Sequence, residues 1–91
     1  MKFQLVQDTQ EAREQLDLEL ADGGTFTWTI SRSELAGDAG GHDASGRYTR
    51  TGDAFTFEVT ERSSKWAPVP TTASLRGDAL EVVGFGTFDK A

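Results

Sequence analysis

The chain has 91 residues, no cysteine, and fifteen acidic against nine basic side chains for a formal charge of −6. That length suits one small domain, residues 1–91, with a single modest core burying about 60 to 65 per cent of the surface the unfolded chain exposes. Without cysteine there is no disulfide framework, zinc–thiolate centre or thiol nucleophile, and acidity spread along the chain opposes nucleic acid and anionic membranes as partners.

Residues 1–20 carry charges throughout with no apolar h-region, and no run is long enough to span a bilayer. The expected location is the cytoplasm.

In chain order, residues 2–7 read as a first strand. Residues 9–21 admit two readings. Asp8 with Glu11 resembles a capping box, and Ala12, Leu16 and Leu20 fall at helical spacing. Yet Gln15-Leu16-Asp17-Leu18-Glu19-Leu20-Ala21 alternates strictly, and a helix would leave Leu18 on its polar side. The strand 15–21 is preferred, with a short helical turn expected near 9–14.

Asp22-Gly23-Gly24 then supplies turn residues that tolerate positive φ, and residues 25–33 alternate again around Phe26, Trp28 and Ile30. Residues 37–46, glycine-rich and holding His42, read as a long connection. Strands follow at 47–51 and 54–62 around Gly52-Asp53, and at 71–76 and 79–89 around Gly77-Asp78. A Gly-Asp pair suits a type II′ hairpin turn, whose first central position favours glycine. The last strand is expected to bend at Gly84 or Gly86, and residues 63–70, with Trp66, Pro68 and Pro70, form a stiff second connection.

About seven near-neighbour strands make an all-β, antiparallel up-and-down meander. It hides its edges by curling into a small barrel or half-barrel. The inward set would be Phe26, Trp28, Ile30, Tyr48, Phe55, Phe57, Val59, Leu75, Leu80, Val82, Phe85 and Phe88.

The series Gly46-Arg47-Tyr48, Gly52-Asp53-Ala54-Phe55-Thr56-Phe57, Leu75-Arg76-Gly77-Asp78-Ala79-Leu80 and Gly84-Phe85-Gly86-Thr87-Phe88-Asp89-Lys90 resembles the strand-and-turn pattern of lipocalin-like (calycin) β-barrels. The resemblance implies an antiparallel barrel whose apolar interior holds a small hydrophobic ligand. The chain is much shorter than a full lipocalin, and residues 2–7 lack the family's Gly-x-Trp, so no ligand residue carries over.

Catalytic chemistry finds little support. His42, Asp43 and Ser45 lie too close in sequence to converge as a triad, and Asp38, Asp43 and Asp53 match no calcium loop. One histidine without cysteine gives no transition-metal set, so neither metal nor cofactor is expected. Arg76-Gly77-Asp78 spells an adhesion tripeptide, but its glycine and aspartate already belong to a turn.

Two function classes remain, neither enzymatic. The first is a binding module holding a small hydrophobic ligand inside the barrel between Trp28, Tyr48, Phe57 and Trp66. Trp28 and Tyr48 are chosen because their polar handles favour a cavity mouth, and Trp66 because it is expected to cap one end. The alternative is a protein-interaction module, or a homodimer formed through edge strands at 2–7 and 85–89.

Overall fold

The computed structural model describes residues 1–34, 37 and 39–91. It contains eight strands: β1 Lys2–Asp8, β2 Ala12–Leu20, β3 Thr25–Glu34, β4 Ala39–Thr51, β5 Ala54–Arg62, β6 Thr72–Arg76, β7 Ala79–Val82 and β8 Gly86–Lys90. Each pairs antiparallel with its chain neighbours, and β1 meets β8 to close an up-and-down barrel. The all-β barrel expected from the alternation is therefore what forms.

The register explains how the alternation becomes a core. Leu16, Leu18 and Leu20 stand opposite Ile30, Trp28 and Phe26, and Phe3 stands opposite Leu18. Paired residues share a face, so each apolar side chain meets another across the ladder. The turns follow their glycines: Gly52 and Gly77 have φ of 61° and 63°, while Asp53 and Asp78 keep negative φ, as a type II′ turn requires.

Three expectations are corrected. No helical turn forms at 9–14; instead Thr9 Oγ1 accepts hydrogen bonds from the Glu11 and Ala12 amides, turning β1 directly into β2. Pairing on both sides satisfies the β2 backbone and buries Ala12, Leu16, Leu18 and Leu20 together, which one helix stripe would not. Most of the expected connection 37–46 is the first half of β4, with Gly40 and Gly41 paired to Arg32 and Ser31. Cross-strand pairing outweighs the poor strand propensity of glycine there. The segment 79–89 divides at Gly84 into β7 and β8, raising the strand count from seven to eight.

The segments expected as free edges pair with each other through Phe3↔Lys90 and Gln4↔Asp89, extended by the Ala91 amide donating to Lys2 O at 2.9 Å. A dimer using those two strands would first have to open this seam.

The barrel interior is packed with side chains. Trp28, Phe3, Phe26, Phe55, Phe88, Leu18, Leu20, Leu80, Val82 and Pro70 are all essentially without solvent contact. Rings meet edge-on at 5.0 Å for Phe26 and Phe57 and at 4.8 Å for Trp28 and Phe85. Such pairs add about 0.5–1.5 kcal/mol each beyond their buried area. Among the described residues no buried side-chain polar atom lacks a partner.

Candidate functional site at the strapped mouth

Strands β2, β3 and β4 are long, at 9, 10 and 13 residues, and their inner face changes character along its length. From Leu20, Phe26 and Gly46 through Leu16 and Ile30 it is apolar and closed. Beyond that level, register and alternation place Glu14, Arg32 and Gly40 on the same face, with His42 opposite Ile30. Polar groups thus replace the apolar ladder where the barrel opens.

Residues 63–71, joining β5 to β6, form a strap across this mouth. The Trp28 indole Nε1 donates to Pro68 O at 3.2 Å, the Arg62 guanidinium donates to Ala67 O, and Arg62 Nε donates to Ser64 O at 3.0 Å. The Ser63 amide donates to Asp43 O at 2.9 Å, and the Phe57 amide to Thr71 O at 2.9 Å. Ala67 and Pro70 are buried by the strap's inner side. The two prolines hold the strap extended at little further entropic cost.

Between the strap and the long strands lies a cleft of about 240 Å³, lined by Glu14, Ile30, Arg32, Gly40, Gly41, His42 and Pro68. Ile30 and Pro68 give it an apolar wall. Its floor is bare backbone at Gly40, where an added Cβ would meet nothing within 4 Å. Arg32 Nε donates to Glu34 Oε1 at 3.2 Å, steadying the guanidinium. No family model, curated protein or solved structure matches the chain.

The four residues expected to hold a ligand are dispersed. Trp28 is sealed in the core against Phe85 and Phe88. Phe57 packs on Phe26, and Tyr48, its register partner, is half-buried with its hydroxyl donating to Ala21 O at 2.7 Å. Trp66 is 85% exposed, with Lys65 Nζ 5.3 Å from its ring centroid. None of the four lines any of the four principal clefts of the described residues. The expectation that Trp66 caps the barrel is thus corrected: the backbone of Pro68 and the side chains of Ala67 and Pro70 do so. The Ala67 amide donates to Ser64 O and closes a turn over residues 64–67, and Trp66 stands on the solvent side of that turn.

Alternation also separates the residues of the imagined triad. His42 lies on the inner face of β4, while Asp43 and Ser45, at odd spacing from it, belong to the outer face. Of the three aspartates considered for calcium, Asp38 lies outside the described residues. Among those described, no cluster of three or more His, Asp or Glu has metal-holding geometry.

The sequence drew attention to His42 and the glycine-rich segment around it, but not to Glu14 and Arg32 or to the face that all of them share. The available signal was the continuation of the inward parity past Leu16 and Ile30 onto charged residues. It was hidden because 37–46 read as a loop with no face at all.

One stability consequence follows from the strap. Trp66→Ala is expected to change unfolding free energy by no more than about 0.5 kcal/mol, as for exposed positions generally. Urea denaturation of the two proteins checks it.

Proposed function

We propose that this protein is a non-catalytic binding module of lipocalin-like design that takes a small, partly apolar ligand at the strapped mouth rather than deep in the barrel. The supporting observation is the cleft of about 240 Å³ with an apolar wall at Ile30 and Pro68, a glycine floor and polar groups on its rim. Ligand sites combine an apolar lining with a few placed polar groups in this way. A deep-seated ligand would instead have to displace the packed rings around Trp28.

Gly40→Val tests the reading. The new side chain enters open space in a strand, so stability is expected to hold or rise by about 0.5–1 kcal/mol from the loss of a strand glycine. In nitrogen-proton NMR titrations, 3-methylbutanol is expected to shift the Gly41 and His42 amides saturably in the parent protein and not in this variant. Equal binding by both proteins would refute the mouth site.

A second reading, a protein-interaction or self-assembling module in the cytoplasm, draws on one observation. Trp66 is 85% exposed on a strap fixed by several hydrogen bonds, and tryptophan is enriched among interface anchors. Sedimentation of the parent and Trp66→Ala proteins across concentration separates this reading from a monomeric ligand binder.

A further inference from the structure

The cleft contains an anion and a cation that face each other without pairing. Glu14 and Arg32 are register partners on β2 and β3, and both line the cavity. Directly opposed side chains have Cβ atoms about 4.5–5.5 Å apart, close enough for an ion pair. Arg32 nevertheless bonds to Glu34, on its own strand, through Nε. Glu14 has no ion-pair partner among the described residues.

Arg32 is therefore held at Nε by Glu34, and its terminal nitrogens make no hydrogen bond among the described residues. A guanidinium presents several donors in a planar fork that matches a carboxylate. Glu14, an acceptor when ionised, suits an ammonium group. Between them stand the apolar surfaces of Ile30 and Pro68 and the side-chain-free floor at Gly40 and Gly41.

We propose that the mouth cleft is a site for a small zwitterion with an apolar body, the chemical class of a free aliphatic amino acid. Its carboxylate meets Arg32, its ammonium meets Glu14, and its side chain lies against Ile30 and Pro68. His42, opposite Ile30 on β4, borders the apolar end. The inference rests on the mouth being a ligand site and adds to it the requirement for both charges on one molecule. A zwitterion pairs Glu14 and gives Arg32 a second anionic partner beside Glu34, whereas a carboxylate alone leaves Glu14 unpaired and an amine alone leaves Arg32 with Glu34 only.

The test uses the full chain and three probes of similar shape: L-leucine, 4-methylpentanoate, which lacks the amine, and 3-methylbutylamine, which lacks the carboxylate. Titrations are read on the Gly40 and Gly41 amides by NMR. L-leucine is expected to bind with an affinity of about 1 mM, a level suited to so open a cleft. Each truncated probe is expected to bind at least about tenfold more weakly, the loss typical of one charge-assisted hydrogen bond. Glu14→Gln is expected to abolish the preference for L-leucine over 4-methylpentanoate while leaving the amide spectrum outside the mouth unchanged. Equal binding of all three probes, or no binding of L-leucine, overturns the zwitterion site. If 3-methylbutanol still binds in a manner blocked by Gly40→Val, the mouth remains a ligand site and only the zwitterion assignment falls.

Discussion

Trp28→Ala is expected to lower the unfolding free energy by about 3–5 kcal/mol, the range for truncating a large buried aromatic side chain. Trp28 is 1% exposed and packs against two rings, with centroids 4.8 Å from Phe85 and 5.7 Å from Phe88. Its indole also supplies the hydrogen bond that holds Pro68, so the substitution empties the middle of the barrel and loosens the strap together. A domain of this length has roughly 5–13 kcal/mol in total, at about 0.05–0.15 kcal/mol per residue. The variant should therefore melt far below the parent in thermal or urea denaturation. Trp28→Phe separates the two contributions, because it keeps much of the packing and removes only the indole donor and part of the volume. A loss below about 1 kcal/mol for Trp28→Ala would mean that the interior is not packed around this residue.

Gly46→Ala is expected to destabilise by about 3 kcal/mol, at the upper end of the usual range for overpacking. Gly46 sits where the β4–β5 register shifts, and a Cβ there would collide with the backbone carbonyl of Glu58. Backbone cannot rotate aside as a flexible side chain can, so the bulge must reorganise and the neighbouring Ala44↔Arg62 and Gly46↔Val59 pairs are strained. The contrast with Gly40→Val is informative, since both glycines lie on the inner face of the same strand. One position is blocked by backbone and the other opens on space, so equal denaturation midpoints for the two variants would contradict the described register.

The Trp28 prediction shows how far residue patterning reaches. Phe26, Trp28 and Ile30 alternate with threonines, and Leu16, Leu18 and Leu20 with polar residues, so the side chains that would face inward were legible before any contact was known. Alternation is a property of one strand and needs no partner. The turns were legible for the same reason, because the φ requirement at Gly52 and Gly77 is local. The first half of β4 was not. Ala39, Gly40 and Gly41 have no alternation and no strand propensity, and only the ladder to β3 orders them.

The mouth site suffered from that gap. Glu14 and Arg32 lie eighteen residues apart in sequence, and nothing local distinguishes them from solvated charges on other strands. Their shared face depends on the β2–β3 register, and the cleft depends on a strap whose inner and outer sides the sequence does not declare. Trp66 was the conspicuous residue of that strap, yet Ala67, Pro68 and Pro70 make its inward contacts.

By itself the sequence determined the β class, the tight turns and most of the apolar interior, since each follows from side-chain periodicity or the conformational limits of one residue. Tertiary structure alone decided that eight strands close through a short β1–β8 seam, that the interior is filled, and that a cleft with an apolar wall and a polar rim stays open under the strap. Those outcomes depend on register and on which segments lie across one another, and both arise from contacts between residues far apart along the chain.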